Sequence, residues 1–152
     1  MIYIEVIKTK WEPGKVVMRD CSRKDIARFE DYMAYQYVKL VKDRVKEQKY
    51  KDKWKPLSRK YLEEKKSKGW SLNIWEATGQ LMRELKVKSH RVVGFDNRKI
   101  HKESGEKLLS IARKNEYGDF KVPARPLFRL VYWYMRKNIG YFYLKYQRGD
   151  YK

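Results

Sequence analysis

The stretch SRKDIARFEDYMAYQYVKLVKDRVKEQK, residues 22–49, decides the fold class. Ser22 stands three residues ahead of Asp25, the spacing of a capping box in which a serine hydroxyl accepts a first-turn backbone N–H. Ile26, Phe29, Met33, Tyr37, Val41 and Val45 then recur at helical spacing, so they share one stripe of a helix. This pattern predicts one long amphipathic helix over residues 22–49. Its other face carries Lys39, Lys42, Arg44, Lys46 and Lys49, which read as a solvated helix face before they read as a nucleic-acid contact.

Upstream, Ile2, Ile4 and Val6 alternate with Tyr3, Glu5 and Ile7, the two-residue period of a strand. A second β-prone run at residues 15–19 follows the turn-like Glu12-Pro13-Gly14, so residues 1–20 are expected to form a hairpin. Downstream, Pro56 disfavours helix at its predecessor and makes residues 50–55 a linker. Ser58 is placed to cap a short helix, residues 68–70 read as a loop, and a further helix after Thr78 turns Leu81, Met82 and Leu85 inward. Val87, Val92, Val93 and Phe95 suggest strand, ended by Gly94, Asp96 and Asn97, and residues 91–102 are expected to be exposed.

Ser104 is positioned to cap the next helix, on which Leu108, Ile111, Ala112 and Asn115 mark one face and Gly118 supplies the stop. Pro123 and Pro126 hold the backbone extended before a final helix containing Leu127, Leu130, Val131, Tyr134 and Met135. Gly140 kinks or ends that helix, and residues 141–146 fit strand and helix equally. Together these elements predict a single α+β domain: a small antiparallel or mixed sheet packed against a long amphipathic helix and shorter helices. A basic aromatic C-terminal extension occupies residues 131–152.

The chain has 152 residues, of which 38 are Lys or Arg and 19 Asp or Glu, a formal charge of +19 that favours polyanions or acidic protein surfaces as partners. Thirteen Tyr and five Trp make it too aromatic for a solvating disordered chain. Charged residues reach 38%, so a modest core is expected, which suggests help from assembly. The lone Cys21 offers neither a disulfide nor zinc spacing, which fits a reducing compartment. Residues 1–8 carry a charge within their apolar run and do not read as a signal peptide, and no stretch approaches membrane-spanning length.

No phosphate loop, metal cluster or nucleophile–base pair with informative spacing stands in the sequence, so no catalytic residue, metal or cofactor is assigned and the chain is read as non-enzymatic. His90 and His101 read as ordinary exposed histidines. Glu63 and Glu64 are adjacent on a helix and point apart, whereas paired catalytic carboxylates must converge.

One ordered series of landmarks remains. It runs Trp54-Lys55-Pro56-Leu57-Ser58, then Lys65 or Lys66, then Ala77-Thr78-Gly79-Gln80-Leu81 and Leu85. It continues through Val93-Gly94 and Ala112-Arg113-Lys114-Asn115-Glu116-Tyr117-Gly118 to Val122-Pro123-Ala124-Arg125-Pro126-Leu127-Phe128. The series resembles the phage virion-morphogenesis, or tail-completion, family over residues 54–130. Asn115 stands where that family often has His, and residues around 98–107 look inserted between strand and helix. The resemblance implies a structural virion protein, a tail terminator acting at the head–tail junction or neck. It implies a homo-oligomeric ring, sixfold by analogy, that docks to connector and tail-tube proteins, with contact to packaged DNA and none to membrane. Its location would be the virion, and the host cytoplasm during assembly.

Within the series, Thr78 reads as a helix cap, Gly79 as a site of close backbone approach, and Trp54, Pro56, Leu57, Leu81, Gly118, Pro123 and Pro126 as fold residues. Arg125, held between prolines, offers a fork for a carboxylate, a phosphate or backbone carbonyls, either across a subunit boundary or clamping a helix end within the domain. Arg129, Trp133, Arg136, Lys137, Tyr141, Tyr143 and Lys145 mix cations with large rings, a composition suited to a subunit interface and secondarily to DNA. The competing function is a free basic nucleic-acid-binding protein, motivated by the charge and the rings; a small phage nuclease or hydrolase ranks below both.

Overall fold

The structure is a computed structural model that describes residues 1–14, 21–89 and 91–150. Ser22 caps the long helix α1 (Arg23–Lys46), its Oγ accepting the Asp25 N–H at 3.2 Å. Phe29, Tyr32, Met33, Ala34, Tyr37, Val38, Val41 and Val45 bury its apolar stripe, each large side chain contributing roughly 1.5–3 kcal/mol by leaving water. Ile26 is only half-buried, and Lys39, Lys46 and Lys49 face solvent. Arg44 does not join them: its guanidinium lies over the Tyr134 ring, 5.3 Å from the centroid.

The α+β expectation holds, with a mixed four-stranded sheet in the order β2-β1-β4-β3. Strand β1 (Ile2–Ile4) pairs antiparallel with β2 (Thr9–Trp11), Ile2 opposite Trp11. It pairs parallel with β4 (Val92–Gly94), which closes a hairpin with β3 (Lys86–Val87). The first hairpin is therefore shorter than expected, and residues 15–19, its anticipated second arm, lie outside the described residues. The cause is local. Val6 and Ile7 are both buried, which breaks the strand alternation, and the chain turns over residues 5–8. Residues 91–102 are likewise not uniformly exposed, because Val93, Gly94 and Phe95 are buried in the sheet and beside it.

Further along the described chain come a 3₁₀ turn at Lys51–Lys53 and helices α2 (Arg59–Ser67), α3 (Gln80–Glu84), α4 (Leu108–Tyr117), α5 (Phe128–Lys137) and α6 (Ile139–Gln147). α1 packs against β1, β3 and β4 and also against α5 and α6, so it forms the centre of the core. The ambiguous run 141–146 is helical. Asn138 separates α5 from α6, and Gly140 falls inside the first turn of α6. Val131, Tyr132, Met135 and Phe142 are buried, so the C-terminal segment contributes to the common core.

Ser58 caps α2 through the Tyr61 N–H, as its position suggested. Ser104 does not cap α4, whose N-cap is Lys107; its hydroxyl turns back to His101 Nδ1 at 3.2 Å. Gly79 is itself the N-cap of α3 at φ 72°, and a Cβ there would meet only ordinary contacts, so its backbone conformation and not close packing demands glycine.

Candidate functional site

Side chains spread over seventy residues of sequence converge beneath the linker and the twin-proline segment. Trp54, buried, donates its indole N–H to the Pro126 carbonyl at 2.7 Å. In return Arg125 sends Nε to the Lys55 carbonyl at 2.8 Å and a terminal nitrogen to the Pro56 carbonyl at 3.2 Å. The Arg125 carbonyl accepts the Trp75 indole N–H at 2.9 Å, and its backbone N–H reaches the Asn115 carbonyl at 2.7 Å. Arg125 is therefore an internal clamp on linker carbonyls, which removes it from the exposed partner-facing set. Burial pulls its guanidinium below the ordinary arginine value.

Glu116 anchors the same region from α4. Fully buried, its carboxylate accepts the backbone N–H groups of Leu127, Phe128 and Arg129 at 2.7, 2.9 and 3.1 Å, and Arg129 Nε at 2.9 Å. The first N–H groups of α5 have no partner inside their own helix, and the helix dipole favours negative charge there. Glu116 thus supplies the cap that Leu127 cannot. Arg129 is used internally as well, with its guanidinium also over the Tyr117 ring. The α5 start is tied to α1 by Tyr37, whose hydroxyl donates to the Phe128 carbonyl at 2.8 Å; burial raises that phenol well above its ordinary value.

Of Lys65 and Lys66, Lys65 is the buried one. It is 2% exposed, and its ammonium donates to the Asn73 and Glu76 carbonyls, pinning the 68–77 loop to α2. Burial lowers its pKa to about 8 against the opposing pull of Glu76. Thr78 Oγ1 lies 3.3 Å from His101 Nε2 and takes only a long 3.4 Å bond from the Gln80 N–H. Gln80 holds the 98–107 segment by donating to the Ile100 carbonyl and accepting the Lys102 N–H. Leu81 is buried; Leu57, Pro123 and Pro126 are half-buried, and Pro56 is exposed. Gly118 ends α4 at φ 80°, where a Cβ would sit 2.8 Å from the Ala124 nitrogen.

Between α2, α4 and the 98–107 segment lies an open cleft of about 780 Å³ floored by Trp75, Ile74 and Leu81. Its rim includes Lys68 over the Trp70 ring at 4.4 Å. Beside it, Asp119 accepts the Lys121 and Val122 N–H groups and presents Phe120, 91% exposed, at the tip of the turn.

The other predicted partner-facing residues separate into two groups. Trp133 is 57% exposed with the Arg136 guanidinium 5.3 Å over it, and Tyr141 carries the Lys145 ammonium at 4.9 Å. With exposed Lys137 they form a solvent face on α5 and α6. Tyr143 belongs to the interior side, its ring packed edge-on against Phe29 at 5.4 Å. His90 lies outside the described residues. Among the described residues no cluster of three or more His, Cys, Asp or Glu side chains could hold a metal ion, and no helix is long and apolar enough to cross a membrane. Comparison with protein-family models, curated proteins and solved structures finds no match.

Sequence reasoning missed Glu116 as a site residue, although it stands inside the quoted Ala112–Gly118 landmark. Its partners are 11 to 13 residues ahead and on another element, where helical spacing gives no signal.

Proposed function

We propose that this chain is a structural, non-enzymatic virion protein of the tail-completion type, working at the head–tail junction. The observation that carries this reading is the reciprocal lock of Trp54 on Pro126 and Arg125 on Lys55 and Pro56. The landmarks that resemble the family are scattered in sequence yet bind one another, as parts of one scaffold should. Their polar groups are spent on backbone carbonyls and helix ends, which is architectural chemistry.

In this reading the rigid core presents surfaces to neighbours. Copies close into a ring, sixfold by analogy, dock to connector and tail-tube proteins, and are made in the host cytoplasm before entering the virion. Exposed rings backed by Arg and Lys on α5 and α6 suit such contacts. The experiment is deletion of the gene in its phage. Tails and filled heads should accumulate unjoined or with unterminated tails, and normal infectious particles from the deletion would refute the role.

A second reading, a free nucleic-acid-binding protein, draws on the charge of +19. It requires retention of DNA or RNA at low salt that falls steeply as salt rises. Absence of binding at low salt would exclude it.

A further inference from the structure

We propose that the 780 Å³ cleft binds a small phosphate monoester with an apolar body, its phosphate held by Lys65, Arg125 and Tyr61. The site goes beyond the tail-completion reading and does not depend on it.

The ion pairs of the cleft leave two cations over. On its walls Glu64 pairs with Lys68, and Glu106 with Lys114. Glu76 turns its carboxylate to Ser71 and Asn73, and Asp119 accepts backbone N–H groups. Lys65 and Arg125 also line the cleft, at 2% and 5% exposure, and each is held by two backbone carbonyls. Among the described residues neither forms an ion pair with a carboxylate. A buried charge met only by neutral dipoles is costly, and an anion in the cleft would offset that cost.

Donors are also in excess. The Lys65 ammonium has three N–H groups and the Arg125 guanidinium five, and carbonyls take two from each. The Tyr61 hydroxyl enters no hydrogen bond among the described residues, and its ring lies 5.6 Å from the Lys65 ammonium. Burial acts most strongly on the Lys65 and Tyr61 pKa values, and the Arg125 charge pulls both down, which puts the three groups in one corner of the cleft.

Charge and shape then name the ligand. A phosphate monoester brings about two negative charges near pH 7, one for each spare cation, and three acceptor oxygens for the three donor groups. A carboxylate brings half that charge. Trp75, Ile74 and Leu81 give the rest of the molecule an apolar floor, and the volume fits small-molecule pockets of about 300–1,000 Å³.

Calorimetric titration of the full chain with phenyl phosphate tests the site. The probe should saturate one site and bind more tightly than inorganic phosphate, which lacks the ring, or benzoate, which brings one charge. Tyr61→Phe removes only a hydroxyl that the fold does not use, and should weaken binding about tenfold. Lys65→Met, shown folded by circular dichroism, should lose more. Arg136→Met with Lys137→Met removes two charges from α5, outside the cleft, and should leave affinity unchanged at physiological salt. The ammonium form of Lys65 holds the phosphate, so affinity should fall as pH rises through about 8. The groups facing Lys65 are Glu76 from the loop, Arg125 from the twin-proline segment and Tyr61 on its own helix, and none of these residue types ordinarily titrates there. Absence of binding at millimolar phenyl phosphate would overturn the site, as would benzoate or inorganic phosphate binding equally well. A Tyr61→Phe chain that binds like wild type would do the same. Equal weakening by the α5 double variant and Tyr61→Phe would reduce the binding to diffuse attraction by a chain of charge +19 and also overturn it.

Discussion

Trp54 and Arg125 lie 71 positions apart in sequence, yet each fastens the other's segment: the Trp54 indole holds Pro126 beside Arg125, and the Arg125 fork holds Lys55 beside Trp54. Losing either leaves a buried polar group without its partner, so the pair should behave as one cooperative unit. Trp54→Phe keeps most of the ring volume and strands the Pro126 carbonyl, a loss of about 1–3 kcal/mol. Urea unfolding should show a lower midpoint with unchanged slope. Combining it with Arg125→Lys should cost less than the sum of the single losses.

Glu116 should be among the most sensitive positions in the chain. Glu116→Ala leaves three backbone donors at the start of α5 uncapped and the Arg129 guanidinium without its carboxylate, a loss of about 3–5 kcal/mol. Glu116→Gln retains one acceptor oxygen and should lose less. Unfolding midpoints of the two variants check both the size and the order.

Much of the architecture was legible because it is encoded locally. α1 carries its own cap and a 24-residue stripe, so Ser22 and the Phe29–Val45 periodicity suffice to place it. The first hairpin was misplaced because two successive buried residues, Val6 and Ile7, violate the alternation on which strand reading depends. Ser104 suits a cap by residue type, but α4 begins only at Leu108 with Lys107 as its N-cap, and the Ser104 hydroxyl lies against His101 instead. Arg125 was ambiguous for a different reason: its fork suits several acceptors, and only the fold brings the Lys55 and Pro56 carbonyls within reach. The Glu116 cap crosses between elements and has no local signature at all.

Lys65 makes stability depend on pH. Its folded pKa of about 8 lies below the ordinary 10.5, so between these values the unfolded chain holds a proton the native chain has released. Stability from this group therefore rises as pH climbs from about 8 toward 10.5, and the burial penalty is fully present below 8. The neutral amine keeps two N–H groups, enough for the Asn73 and Glu76 carbonyls. Urea midpoints at pH 7.5, 8.5 and 9.5 should rise for wild type relative to Lys65→Met, which lacks the titrating group.

Gly118 admits no side chain. At φ 80° any L-residue is strained, and the added Cβ would press on the Ala124 backbone. Gly118→Ala should therefore cost about 1–3 kcal/mol from the backbone conformation alone. Gly105, also at positive φ but with open space around it, should lose less on the same change, and thermal melts of the two variants give the comparison.

The proposal that this chain is a building block of a phage neck is tested most directly by electron cryo-microscopy of mature particles of the phage proposed to encode it. Density fitting the α1-centred fold should appear in several copies around the tail axis between connector and tail tube. Particles of full infectivity whose neck is accounted for entirely by other proteins, with this chain absent by mass spectrometry, would contradict it.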